Sequence, residues 1–409
     1  MSQRRVIGEP SARAGLLEGR AGAASSAVLA GLSCLVVPGG LLSQGWRGDV
    51  TYYGRVGARI MDGLIPYHNF YLEYPPGSTP LFTLPSLLSQ HHYALAFKLV
   101  LVVCAAVAAA AGTVVVRRSG ADLRAQRIAA VVLGLAPLAM GPLFMNRYDV
   151  FPAAIVTLTL LALLAGRPRL ASALLAYAVM AKIYAIALVP IVALHIVRQR
   201  GRKELERSSA VFVAVCLVMT VPFAAVGFGG LGYSFYIQVT RHLQVESLGA
   251  QLLVVLHHLG LYHAVVFIGK PGSFDLAGTI ANVVGSASTA AQVVVVVLVT
   301  LWYARGPVDS QRLVLACTTA VTGFAVFGKV LSPQYLVWLI LIVPLVGAGA
   351  GLVATILCVA AVVMTQLSFY DSDGVANLTS ISWLVLSRNI VLVAVFAVLA
   401  RSLRKDVAT

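Results

Sequence analysis

Apolar stretches long enough to cross a lipid bilayer recur along almost the whole chain, from residue 23 to residue 400. Hydrophobic residues make up 59% of the 409, charged residues make up 11%, and the mean hydropathy is +0.89. A soluble globular domain carries about 25% charged residues, because its surface must be solvated. The sequence therefore predicts an all-α polytopic membrane protein with one membrane domain and no long soluble segment.

The predicted spans follow from bilayer thickness, since a core of about 30 Å needs ~20 apolar residues per helix. Segment 170–197 is long for one span and carries Lys182 in its middle, so it is predicted to form two short helices that turn there. The total is about twelve spans (11–13) over residues 23–401, flanked by tails at 1–22 and 402–409. The other ten spans are 23–42, 93–116, 127–143, 150–165, 209–226, 280–303, 313–327, 335–345, 352–369 and 381–400.

Arginine and lysine gather in six clusters between these spans, and the clusters hold 20 of the 30 basic residues. Short loops rich in arginine and lysine face the cytoplasm. Both termini are therefore predicted to be cytoplasmic, with two large outer segments at 44–92 and 228–276, in which 247–258 lies along the interface. Topology then explains the net charge of +15 without a nucleic-acid partner.

Four ionisable residues stand at or just inside the predicted outer boundary of the membrane: Arg147, Asp149, Lys182 and Lys329. Such groups cost about 2.5–3.5 kcal/mol each, even on a lenient insertion scale. Each one alone is compatible with a functional site or with a structural ion pair. Because they come from several segments on one face, together they favour a site.

The first outer segment is the most informative part of the sequence. Apolar residues between Val50 and Ile60 recur at helical spacing, which predicts a short amphipathic helix on the outer surface. Asp49 directly precedes this helix, so its carboxylate is suited either to catalysis or to capping the helix N-terminus. Farther along, the sequence Tyr-Pro-Pro-Gly at 74–77 predicts an extended turn.

Metal binding and disulfide formation are not indicated by the sequence. All five cysteines fall inside apolar spans, where packing is their usual role. Asp371 and Asp373 have the spacing of an Asp-x-Asp motif but lack flanking ligands. The adjacent histidine pairs at 91–92 and 257–258 point in different directions on a helix. No metal site and no cofactor are therefore predicted.

The stretch GDVTYYGRVGARIMDGLIPYHNFYLEYPPG resembles the first periplasmic loop of GT-C-fold glycosyltransferases that use polyprenyl-phosphate sugars. In particular, it resembles glycosyltransferase family 87, a bacterial group that includes α-mannosyltransferases of actinobacterial lipoglycan assembly. The segments NRYDVFPA, AKIYAIALVP, RHLQVESLGA and KVLSPQYLVWL resemble further family segments in the same order. One departure is Ala185, where many relatives have proline. The matching features of the first loop are Asp49, Tyr52/Tyr53, Ile65-Pro66-Tyr67 and Tyr74-Pro75-Pro76.

The resemblance implies a GT-C-like helical bundle in a bacterial inner membrane, with its active site on the periplasmic or extracellular side. It also implies a sugar donor on a polyprenyl phosphate, an acceptor hydroxyl on a glycolipid or cell-envelope glycan, and inversion at the anomeric carbon. Mannose is the favoured sugar, although arabinose, glucose or galactose would need the same machinery.

Glycosyl transfer to an alcohol needs a base near the acceptor and positive charge near the departing phosphate. From position and resemblance together, Asp49 is predicted to be the general base, with Glu73 as second candidate. The predicted donor-phosphate ligands are Arg147, Lys182, Arg241 and Lys329. The predicted sugar or acceptor ligands are Tyr52, Tyr53, Tyr74, Asp149, His242, Glu246, Gln334 and Tyr335.

Other interpretations stay open from sequence alone. The tyrosines of the first loop are also typical of residues that anchor a protein at the membrane interface. A transporter or flippase would explain many spans and intramembrane charges, but it predicts repeated halves with polar groups at the bilayer midplane. No internal repeat is visible, and the polar residues gather at one face, so a glycosyltransferase is favoured over a transporter or a membrane scaffold.

Overall fold

The computed structural model describes residues 9–42, 48–269 and 272–405 of the chain. Residues 1–8 of the first predicted tail, 406–409 of the last one and 44–47 at the start of the first outer segment therefore lie outside the described residues. The described helices are α1 (Glu9–Val36), α2 (Val50–Met61), α3 (Thr79–Leu88), α4 (Tyr93–Arg118), α5 (Leu123–Met140), α6 (Pro142–Asn146), α7 (Val150–Leu164), α8 (Pro168–Ala181), α9 (Val189–Arg200), α10 (Arg202–Thr240), α11 (Leu248–His258), α12 (Thr279–Arg305), α13 (Ser310–Val326), α14 (Leu336–Ile342), α15 (Ala350–Phe369), α16 (Ser372–Ala376) and α17 (Ile381–Lys405).

Each of the twelve predicted spans coincides with a helix: α1, α4, α5, α7, α8, α9, α10, α12, α13, α14, α15 and α17. In the described part of the chain, eight helices are long and apolar enough to cross a membrane. Shorter apolar helices include Val150–Leu164, Pro168–Ala181 and Pro333–Val346. The polytopic architecture is therefore confirmed, and the number of twelve crossings stays a prediction.

The predicted turn at Lys182 is present. Helix α8 ends at Ala181, and a 3-10 helix at Ile183–Leu188 leads into α9. The two helices return to the same level, because Arg200 Nη2 at the end of α9 donates to the carbonyl of Gly166, 3.2 Å away, just before α8. Lys182 thus lies at the tip of a helical hairpin.

The second outer segment differs from its prediction in two ways. Helix α10 continues through residues 228–240 after a kink at Gly227, beyond the predicted end of its span at residue 226. Beyond α10, a three-stranded antiparallel sheet of order β1-β3-β2 forms from β1 (Leu243–Gln244), β2 (Val266–Gly269) and β3 (Ser273–Leu276). The prediction of an all-α fold is therefore wrong for this segment. The run VVFIGKPGSFDL pairs apolar residues around a Pro-Gly turn, which is a hairpin signal.

The interior of the bundle is built around α14, in which every residue from Leu336 to Ile342 is buried. By contrast, α10 buries only four of its 39 residues and leaves most of its apolar surface on the outside of the bundle. Helix α2 buries one face through Val50, Tyr53, Val56 and Gly57, as its spacing predicts. The fold therefore places the start of α2, the tip of the α8–α9 hairpin and the start of α14 around one opening.

Candidate active site

A cavity of about 990 Å³ opens between the first outer segment, the hairpin tip and the second outer segment. This volume is at the upper end of the 300–1,000 Å³ typical of ligand sites. Its lining includes all but two of the residues predicted for the site: Asp49, Tyr52, Tyr53, Glu73, Tyr74, Arg147, Asp149, Lys182, Arg241, Glu246, Gln334 and Tyr335.

Asp49 lies in this lining with its side chain 31% exposed, and its carboxylate pairs with Arg147. The Tyr53 hydroxyl donates to Asp49 Oδ2 at 3.3 Å, and the same oxygen pairs with Arg147. The alternative role as a helix cap is wrong, because the Asp49 side chain makes no capping hydrogen bond to α2. Its carboxylate therefore faces the cavity, where it can accept a proton. Burial lowers the pKa of Arg147 to about 10, so the guanidinium stays positively charged at neutral pH.

Asp149 and Lys182 form a second pair deeper in the site. Lys182 Nζ lies 2.5 Å from Asp149 Oδ1, and the Trp338 indole donates to the same oxygen at 2.7 Å. The ammonium also lies over the rings of Tyr148, Tyr335 and Trp338, at 4.6, 5.5 and 5.2 Å. Asp149 is only 1% exposed, so this pair joins α7, the hairpin tip and α14. Trp338 and Tyr148 were not predicted from the sequence, because both read as ordinary apolar residues.

Arg241 differs from Arg147 and Lys182, which are both paired with carboxylates. It directly follows α10, and within the described residues the structure shows no ion pair or hydrogen bond for its side chain. Its Nε is buried without a partner. A guanidinium in this state is costly unless a ligand satisfies it. Arg241 is therefore the cation best placed to receive an anionic ligand.

Glu73, the second candidate base, is more buried than Asp49, with 8% of its surface exposed. Its backbone carbonyl accepts from the Gln238 amide of α10 at 2.9 Å. Burial raises the pKa of the Glu73 carboxyl, while Tyr74, Arg241 and Lys182 oppose that rise. The carboxyl is therefore harder to ionise than a solvated glutamate.

Two predicted ligands lie outside the cavity lining, Lys329 and His242. Lys329 Nζ donates to the carbonyl of Val239 in the last turn of α10 at 2.6 Å, where backbone carbonyls lack helical partners. His242 is exposed, and its ring packs edge-on against Phe267 at 5.1 Å. The structure therefore does not bring Lys329 and His242 into the cavity lining, and their assignments to the donor phosphate and the sugar stay predictions.

Glu246 lines the cavity but is held by an arginine that was not predicted from the sequence. Arg388 of α17 is fully buried and pairs with the Glu246 carboxylate at 2.8 Å. Its second terminal nitrogen donates to the Glu246 carbonyl, also at 2.8 Å, and so does Asn389 at 3.0 Å. The signal was present, since an arginine inside an apolar span needs a partner. Glu246 therefore anchors the second outer segment to the bundle.

We expect Arg388→Met to destabilise the protein, because it leaves the Glu246 carboxylate in a buried position without its cation. Breaking one side of a buried pair typically costs about 3–5 kcal/mol. The measurement is thermal unfolding of the purified protein in detergent, with exposed Arg401 of the same helix changed to Met as control. An Arg388→Met variant as stable as Arg401→Met would contradict this role.

In the described ranges, no three His, Cys, Asp or Glu side chains lie close enough together to hold a metal ion. The Asp371 carboxylate instead caps α16, accepting from the backbone of Gly374 at 3.0 Å. The predicted independence from metals is not tested by this geometry.

Comparison with known proteins supplies the chemistry that the cavity alone leaves open. Among curated proteins, none matches the chain. The sequence model of glycosyltransferase family 87 matches residues 71–333, well over half of the chain. The matched region covers Glu73, Arg147, Lys182 and Arg241, although Asp49 precedes it. The protein is therefore a membrane glycosyltransferase and belongs to glycosyltransferase family 87.

Proposed function

We propose that this enzyme transfers a sugar, mannose being favoured, from a polyprenyl-phosphate donor to a hydroxyl of a glycolipid or cell-envelope glycan. Asp49 is the general base, and the anomeric centre is inverted. The reaction takes place on the periplasmic or extracellular side of a bacterial inner membrane, with both termini cytoplasmic.

The observation that carries this proposal is the distribution of charge around the cavity. Two cations are already matched by carboxylates, Arg147 by Asp49 and Lys182 by Asp149, whereas the structure shows no ion pair or hydrogen bond for the Arg241 side chain among the described residues. A donor phosphate ester would supply the missing anion. Because Arg241 follows the last turn of lipid-exposed α10, a phosphate bound there can remain attached to a chain in the bilayer.

The reaction balances with these groups. The acceptor oxygen attacks the anomeric carbon while the bond from that carbon to the phosphate oxygen breaks. The hydroxyl proton moves to the Asp49 carboxylate, and polyprenyl phosphate leaves with its negative charge facing Arg241. Positive groups aimed at the developing charge favour departure of the phosphate.

Family membership favours an enzyme over a transporter or flippase, and the cavity geometry agrees with that preference. The polar lining lies at the ends of helices, whereas a transporter is expected to hold its substrate between repeated halves near the bilayer midplane.

The test is transfer of radiolabelled sugar in membranes that contain the protein, with polyprenyl-phosphate mannose compared with other polyprenyl-phosphate sugars and with nucleotide sugars. We expect label in a lipid or glycan product only from a polyprenyl-phosphate donor. Transfer from a nucleotide sugar in membranes depleted of polyprenyl phosphate would overturn the donor assignment.

A further inference from the structure

Tyr67 is the last residue of the Ile65-Pro66-Tyr67 sequence in the first outer segment, and it does not line the cavity. Its backbone has φ of +66°, a left-handed conformation that is uncommon for a residue with a large side chain. A conformation of this kind persists only where surrounding contacts hold it. The side chain is 5% exposed, so those contacts are internal.

One set of contacts is with α10. The Tyr67 ring packs edge-on against Phe223 at 5.3 Å between ring centres. Its carbonyl rests directly on Gly230, where an added Cβ would lie 1.9 Å from the Tyr67 oxygen. A Cβ at Gly227 would also come within 2.9 Å of the same peptide group. The loop can therefore occupy this position only because α10 lacks side chains there.

A second set of contacts leads towards the base. The Tyr67 hydroxyl donates to the carbonyl of Tyr74 at 2.6 Å. The Tyr74 ring packs against the Tyr53 ring at 6.0 Å, and the Tyr53 hydroxyl donates to Asp49 at 3.3 Å. A continuous series of contacts thus runs from α10 through Tyr67 to the Asp49 carboxylate, while Arg241 directly follows the same helix.

We infer that Tyr67 is a positioning residue for sugar transfer: seated on Gly230, it sets the place of Asp49 relative to Arg241. This inference rests on the proposed function, in which Asp49 takes the proton and Arg241 receives the phosphate. Misplacement of a catalytic group by ~1 Å can reduce a rate by about 100-fold. Tyr67 itself touches neither substrate.

Two variants test the series at different points. Gly230→Ala forces the Tyr67 carbonyl away from α10 by ~1 Å, and Tyr67→Phe removes only the hydroxyl that holds Tyr74. Each is expected to lower kcat about 10- to 100-fold with little change in donor KM. Because both substitutions act on one series of contacts, their effects on kcat should not multiply. The kcat of the double variant should be at least about half that of the slower single variant.

Helix α10 offers matched controls for this experiment. Gly229 and Gly232 have nothing within 4 Å of an added Cβ. Gly229→Ala and Gly232→Ala make the same chemical change on the same helix, so both should keep wild-type kcat. Normal transfer by Gly230→Ala, or rate losses of the two single variants that multiply in the double variant, would overturn the inference.

Amide hydrogen exchange gives a readout that does not need activity. Gly230→Ala and Tyr67→Phe should speed exchange in peptides covering 66–74 and 49–53, whereas the two control variants should leave it unchanged. Unchanged exchange in Gly230→Ala contradicts the inference even if the donor proves different. Failure of the proposed function is recognised separately, because wild type and both controls would then transfer no sugar.

Discussion

Asp49→Asn is expected to reduce sugar transfer by about 100- to 10,000-fold, the range that general base catalysis contributes. Asparagine has nearly the same shape as aspartate and can still accept from Tyr53, but it cannot take the acceptor proton. Donor affinity should change little, because the group proposed to bind the phosphate is Arg241. The measurement is the initial rate of radiolabelled sugar transfer in membranes, at matched levels of folded protein.

Asp62→Asn is the control for this variant, because Asp62 lies at the other end of the same helix, is exposed and does not line the cavity. Its transfer rate should equal that of wild type. Glu73→Gln should be measured alongside. A large loss in Glu73→Gln with normal transfer by Asp49→Asn would move the role of base to Glu73.

Removal of the charge at Arg241 is expected to have the next largest effect. Arg241→Met should lower kcat/KM for the donor by about 100- to 1,000-fold, as when a group that stabilises developing charge is removed. Arg241→Lys keeps the charge but loses the planar fork that binds phosphate through two hydrogen bonds, so an intermediate loss is expected. Rates measured over a range of donor concentrations provide this comparison.

The control is Arg55→Met, which removes an exposed cation from α2 outside the cavity lining. Equal losses in Arg241→Met and Arg55→Met would indicate a general electrostatic effect instead of phosphate binding. Wild-type kinetics in Arg241→Met would exclude the assignment of Arg241.

The sequence was most informative at ionisable residues that lie at or inside the membrane boundary, because an unpaired charge there costs free energy. Asp49, Asp149 and Lys182 could be predicted in this way, because such groups must bind either a ligand or one another. The helix after Asp49 could also be predicted, since its buried positions recur at helical spacing. The helical spans and the loops between them could be predicted from little more than bilayer thickness and the positions of the arginines.

Other features could not be predicted, because the partners are atoms that a sequence does not identify. From the sequence, Lys329 was predicted to be a phosphate ligand. In the structure its Nζ donates to the carbonyl of Val239, 2.6 Å away. Trp338 contributes one indole N–H to Asp149, and nothing in an apolar segment distinguishes it from a packing residue. The position of Tyr67 depends on Gly230, because an added Cβ there would lie 1.9 Å from the Tyr67 oxygen, and the sequence does not identify this tertiary contact.

The contrast between buried α14 and lipid-exposed α10 has a consequence for hydrophobic mismatch. A change in bilayer thickness acts on helices that face lipid, which respond by tilting or bending. Trp338 in α14 is shielded from that force, whereas Arg241 follows the helix most exposed to it. In vesicles of increasing acyl-chain length, we therefore expect kcat/KM for the donor to change, because both Arg241 and the seat of Tyr67 depend on the position of α10. The thickness of the host membrane would then set how readily the enzyme captures its lipid-linked substrate.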